Sequence, residues 1–164
     1  MLDFYLGNIS MLLTSIAAAA ISVKEARGRT ITRSRLLALG VLAFASIFIQ
    51  LAFTDPEELL DASRWLLMFV ALLAGGVRGH LMRLSSDRAL GLVRVHRSPE
   101  VRWVAYAQAF FAAVQFAIEV GTGADSRIEP TIEFLMMATA GYLLGRGCWA
   151  WWRAGQLVHE DLRD

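Results

Sequence analysis

Residues 24–53 read KEARGRTITRSRLLALGVLAFASIFIQLAF. A basic run ending at Arg35 gives way to an apolar run, 36–53, that carries no charge. A bilayer hydrocarbon core takes roughly 20 helical residues to cross, with about 17–25 as the usual range. The run 36–53 fits such a crossing, and the cations beside it mark the edge that stays on the cytoplasmic side.

The same reading extends to four further blocks. Residues 4–23 read FYLGNISMLLTSIAAAAISV, 103–120 read WVAYAQAFFAAVQFAIEV and 131–152 read TIEFLMMATAGYLLGRGCWAWW. The remaining block, 65–83, opens WLLMFVALLAGGV and then meets Arg78 and His80. It reaches full length if the Arg78 guanidinium extends to the headgroups. Pro56, Pro99 and Pro130 all fall between blocks, where they break no helix interior. The expectation is an all-α membrane protein. Residues 1–164 form a single membrane domain, a bundle of five transmembrane helices over about 4–23, 36–53, 65–83, 103–120 and 131–152.

Composition agrees. Of 164 residues, 56% are hydrophobic, whereas soluble domains usually hold about 45–50% even counting glycine. A net charge of +1 argues against a nucleic-acid partner. Cys148 is the only cysteine, which excludes an internal disulfide or dithiol pair and leaves a small apolar packing residue.

The charges also set direction. Of the 16 lysines and arginines, only Arg64 and Arg127 fall on the side opposite the basic run at 24–35. The other connections on that basic side carry Arg78, Arg83, Arg88, Arg94, Arg97 and Arg102, then Arg146, Arg153 and Arg163. Acids Asp55, Glu57, Glu58, Asp61, Asp125 and Glu129 gather on the other side. Retention of cations in the cytoplasm therefore places the N-terminus outside and the C-terminus inside a bacterial-type inner membrane. A cleavable signal carries its cations before its apolar stretch; here MLDF precedes and the cations follow, so the first block is expected to remain as a helix. Phe4, Tyr5 and Trp65 then lie at outer edges and Trp103, Trp149, Trp151 and Trp152 at inner ones, as interfacial aromatics do.

Within the blocks, Gln108, Gln115 and Glu119 share one helical face. That face serves either interhelical hydrogen bonding or a proton or solute path ending at Glu119. Gly75 and Gly79, and Gly141 and Gly145, are GxxxG pairs that let backbones approach closely, within the bundle or against another chain. Residues 80–102, HLMRLSSDRALGLVRVHRSPEVR, suggest a small cytoplasmic β-hairpin between the third and fourth helices. If its centre falls at Arg88, His80 and His96 come opposite one another, a possible metal or haem ligand pair. No phosphate-cradling loop, zincin helix, nucleophile elbow or Ser/His/Asp set is present, and the glycines of GGVRG end an apolar helix rather than follow a strand.

The layout resembles the CcdC-like family of small bacterial membrane proteins. The resemblance lies in an N-out helix, the basic loop from Lys24 to Arg35, an apolar pair around a short acidic turn, the insert MRLSSDRALGLVRVHRS and the ending GRGCWAWWRAGQL. It implies the same topology and an association with cytochrome c maturation, and it carries over no catalytic residue.

Three functions remain open. The first is a non-catalytic accessory subunit or assembly factor of a larger inner-membrane complex, expected from small size, GxxxG faces, short loops and the apparent lack of a buried ionisable site. Its partners would be the bilayer and other membrane subunits or further copies, with no cofactor. The second is a small oligomeric transporter or channel using Gln108, Gln115 and Glu119. The third is a haem- or metal-binding protein through His80 and His96.

Overall fold

A computed structural model describes residues 2–28, 30–52, 62–87, 90–121 and 129–158. Among them run the helices α1 (Leu2–Ala26), α2 (Arg33–Leu51), α3 (Ala62–Leu81), α4 (Pro99–Gly121) and α5 (Glu129–Ala154). Three short strands accompany them: β1 (Thr30–Thr32), β2 (Leu84–Asp87) and β3 (Leu92–Val95). Helices α1 to α4 are long and apolar enough to cross a membrane; α5 is longer but less apolar and falls outside that group. Pro99 opens α4 and Pro130 lies in the first turn of α5, where a missing N–H leaves no helical bond unmade. Pro56 and the acids Asp55, Glu57, Glu58, Asp61 and Asp125 lie outside the described residues, as do Arg29, Arg88, Arg127, Arg163 and the side chains of Phe4, Tyr5 and Glu129.

Helix α5 is the spine, packing against α2, α3 and α4, while α1 packs against α2 and α4. The inward faces repeat at alternating steps of three and four. On α1 they are Asn8, Met11, Ser15, Ala18, Ser22 and Glu25; on α4 they are Val101, Ala105, Gln108, Ala112 and Gln115. That spacing keeps one stripe of each helix facing its neighbours. Helix α3 lies on the outside, held mainly by α5, and only Arg64, Gly75 and Gly79 of it are buried.

The two GxxxG pairs meet each other. Gly75 and Gly79 face the α5 backbone at Tyr142 and Arg146, and Gly141 and Gly145 face the α3 backbone at Met68 and Leu72. A Cβ at Gly79 would sit 2.6 Å from the Arg146 carbonyl oxygen, and one at Gly141 would sit 2.6 Å from that of Met68. No side chain fits there. Helix α2 approaches α5 in the same way at two isolated glycines outside any GxxxG pair: a Cβ at Gly40 would lie 2.6 Å from the Leu144 Cα, and one at Gly147 2.5 Å from the Leu36 oxygen.

The expected hairpin forms, with a different register and a third strand. The sheet order is β1-β3-β2, antiparallel throughout. Leu84 pairs with Val95 and Asp87 with Leu92, so the turn centres between residues 89 and 90 rather than at Arg88. The Asp87 carboxylate accepts the Leu90 N–H at 3.1 Å, and Gly91 turns the chain with φ +63°. Both are turn devices, one on each side of the turn. The pairing of His80 with His96 is therefore corrected: His80 belongs to the last turn of α3, and His96 donates its N–H to the Arg83 oxygen at 3.2 Å.

Ile31, Leu84, Val93 and Val95 pack over Leu36, Met82, Ala150 and Ala154, so the sheet caps one end of the bundle. Because β1 lies between α1 and α2 and the hairpin between α3 and α4, both connections share that end with the C-terminus of α5. The three basic segments grouped by charge are thus one surface in space.

A Gly145→Val substitution should lower the thermal midpoint in mild detergent, with overpacking costing about 1–3 kcal/mol. Gly76→Ala, whose Cβ would meet only the Trp149 ring at 4.0 Å, should leave the midpoint unchanged or raise it. Circular dichroism melts of the two proteins would check this.

Candidate functional site

Polar side chains inside the bundle meet at three levels. At the end away from the sheet, Arg64 Nη1 on α3 lies 2.9 Å from Glu133 Oε2 on α5, and Gln50 Nε2 on α2 donates to Glu133 Oε1 at 2.9 Å. At mid-depth, Gln108 on α4 donates through Nε2 to Ser46 Oγ on α2 at 3.0 Å and accepts from the Thr139 hydroxyl on α5. Nearest the sheet, Arg146 Nη1 on α5 lies 2.6 Å from Glu25 Oε1 in the last turn of α1, each side chain 1% exposed.

This last pair corrects two expectations. Arg146 is no surface cation marking the basic side; it lies in the interior. The apparent lack of a buried ionisable site does not hold either. Removing two charges from water costs several kcal/mol per ion, and only a well-placed partner offsets it. Arg146 Nε and Nη2 and Glu25 Oε2 have no hydrogen-bond partner among the described residues. The pair therefore depends on one short contact, and it joins α1 to a helix against which α1 otherwise packs little.

Glu25 also ends a buried polar stripe along α1. Asn8, Ser15 and Ser22 precede it at heptad spacing. Ser22 donates to the Ala19 oxygen at 2.6 Å, whereas Asn8 Nδ2 and Ser15 Oγ are buried without partners among the described residues. Gln115 is fully buried, as Gln108 is. The Glu119 side chain lies outside the described residues.

At the sheet end of α3, His80 Nδ1 accepts the Trp149 indole N–H at 3.0 Å. Arg153 caps the same helix end, donating to the His80 oxygen and, at 2.6 Å, to the Met82 oxygen. His80 is thus engaged with α5 rather than with His96. Among the described residues no group of three or more His, Cys, Asp or Glu stands ready to hold a metal ion. Arg78, expected to reach for headgroups, instead forks onto Glu100 Oε1 at the start of α4, at 2.9 and 2.6 Å.

Beside the glycine contact, α3 and α5 line a groove of about 610 Å³ whose lining is almost wholly apolar. Leu73, Gly76 and Val77 form one wall, and Leu144, Cys148 and Trp149 the other. The Cys148 residue is exposed there. No protein-family model, curated protein or solved structure matches the chain.

Sequence reasoning missed Glu25, Glu133, Gly40 and Gly147. Glu25 had a signal, since it lies three residues beyond Ser22 and so shares the helical face of Asn8, Ser15 and Ser22. Glu25→Ala should cost about 3–5 kcal/mol by stranding a buried guanidinium. The double variant Glu25→Leu with Arg146→Met should recover most of that loss. Denaturant titration of the three proteins in detergent would decide, and additive losses would contradict the coupling.

Proposed function

We propose that the chain is a five-span protein of a bacterial-type inner membrane, N-terminus out and C-terminus in, serving as a non-catalytic accessory subunit or assembly factor. Its docking surface is the α3–α5 groove. The observation that carries this reading is that groove: apolar, open, about 610 Å³ in volume and walled in part by Gly76, which has no side chain to fill it. Small residues at a helix surface favour close approach of another transmembrane helix in lipid. The interior supports the same reading, because Gln108, Gln50, Glu133, Arg64, Glu25 and Arg146 are engaged across helices. Side chains that fasten the bundle together suit a scaffold that acts through its surface. The resemblance to the CcdC-like family belongs with this proposal, as a likeness of layout.

The fifth span and the orientation rest on charge. Three basic segments share the sheet-capped end, and cations resist translocation. In a Cys148→Ser background, a Leu90→Cys label site should react with a membrane-impermeant maleimide in inverted vesicles and stay silent in intact cells. Labelling of intact cells would overturn the orientation.

The docking reading is tested by Gly76→Leu. Gly76 meets no close backbone, so the variant should fold and melt like the native chain yet lose the proteins that co-purify in mild detergent. Undiminished co-purification, or a native chain that migrates as a monomer after gentle extraction, would sink it.

A second reading, a small oligomeric transporter or channel, is favoured by one observation: Asn8 Nδ2 and Ser15 Oγ, without partners among the described residues, are aligned with Ser22 and Glu25. Proteoliposomes of the purified chain should then conduct protons, and Gln115→Leu or Glu25→Gln should abolish the conductance. A flux no higher than that of empty vesicles removes this reading.

A further inference from the structure

We infer that the sheet-capped end holds a binding pocket for a phosphate-bearing anion. The pocket encloses about 320 Å³ between the end of α1 and the start of α4, lined by Ala26, Arg27, Arg97, Pro99 and Arg102. Pockets for small ligands span about 300–1,000 Å³, so a headgroup phosphate or a free phosphate ion fits inside. Three arginines from three stretches of chain line one cavity: Arg27 just past α1, Arg97 in the segment before α4, and Arg102 in the first turn of α4.

Their convergence has no counter-charge among the described residues, where none of the three makes an ion pair. The acids adjoining them along the chain are engaged elsewhere, Glu25 with Arg146 and Glu100 with Arg78. Arg102 Nε is buried and bonds nothing among the described residues. Like charges held together repel, and a guanidinium donor removed from water without an acceptor is costly. A tetrahedral dianion or a phosphodiester answers both, since arginine forks match phosphate oxygens.

The fold sets these cations in place. Gly28, with φ +69°, lies so close to Arg97 that a Cβ there would be 3.3 Å from the Arg97 nitrogen. The loop after α1 and the segment before α4 are thus wedged together, fixing the spacing of Arg27 and Arg97. Pro99 on the wall begins α4, whose N-terminal dipole adds positive potential. Arg102 stacks on Trp103 at 5.3 Å, and an exposed tryptophan of this kind sits at headgroup depth in the topology proposed above. The level of the pocket rests on that topology; its chemistry does not.

The test uses the full chain purified in mild detergent, offered phosphatidylglycerol, phosphatidylcholine or inorganic phosphate. Native mass spectrometry reads lipid retention and a thermal shift reads phosphate. The native chain should retain phosphatidylglycerol over phosphatidylcholine, or be stabilised by phosphate. The first outcome identifies a lipid headgroup as the source, the second a free ion. Arg102→Gln and Arg97→Gln should each weaken binding roughly fivefold or more. Arg94→Gln, a cation on β3 outside the pocket, should leave it unchanged. Arg97 is exposed, so its variant keeps the test valid should Arg102→Gln fold poorly. Equal weakening by all three would mean diffuse charge attraction and overturn the pocket, as would no binding of any probe. Detergent exposes both faces, so a failed orientation test leaves this result standing, and a failed binding test leaves the docking reading standing.

Discussion

The close approach of α2 and α3 to the backbone of α5 is the constraint on which the rest of the structure depends. Between helices in lipid there is no hydrophobic drive, so association relies on packing and hydrogen bonds, both of which fall steeply with distance. At Gly75, Gly79, Gly141 and Gly145, and again at Gly40 and Gly147, the backbones come closer than any Cβ would permit. That proximity lets short and medium side chains reach across. Glu133 on α5 meets Arg64 of α3 and Gln50 of α2 at once, and Thr139 meets Gln108 of α4. Larger residues at the glycines would separate these groups and leave each unsatisfied in a medium without water.

The buried charges impose the opposite demand. Packing gains from every small residue, whereas Glu25 and Arg146 cost free energy to desolvate and recover it only through each other. Their position explains why such a pair is tolerated. It lies at the sheet end, between two helices that share few other contacts, where an apolar pair of similar size would hold the helices without fixing their relative height. A charge pair has one favourable register. We regard it as the device that fixes how α1 is set along α5, with Gln108 and Glu133 fixing the other helices at their own levels.

Much of the architecture was legible in the sequence because it depends on block length and composition. The helix blocks were found to within a few residues at each end, the paired glycines were recognised, and the insert after α3 was read as a hairpin. What was missed depends on partners rather than pattern. The hairpin register turned on Asp87 accepting one backbone N–H, a local bond that strand propensity does not encode. Strand β1, three residues long, exists because β3 offers it an edge. Gly40 and Gly147 lie outside any GxxxG pair, and single glycines carry no spacing to notice. Arg146 was counted as a charge of the basic side, since a tally of basic residues per connection treats every ion as solvated, and its partner Glu25 was passed over. The polar face of α4 was legible as a face, but that Gln108 serves Ser46 and Thr139 required the neighbouring helices.

Helix α5 shows why hydropathy alone misjudges a central helix. It is less apolar than its four neighbours, yet it is the helix that most of them touch. A hydropathy average weighs each residue as if it faced lipid. Glu133 and Arg146 face protein instead, and each meets an opposite charge from another helix. In the proposed topology Glu133 and Arg146 of α5 are neutralised inside the bundle, while the apolar surfaces of α3 and α4, with Phe69, Val70 and Phe110 well exposed, meet the hydrocarbon. Such a helix would be poorly inserted by itself and well accommodated once α1 and α3 are present. Its stability in the membrane is then a property of the assembled bundle, so loss of Glu25 or Arg64 would weaken α5 more than any change made on its lipid-facing side.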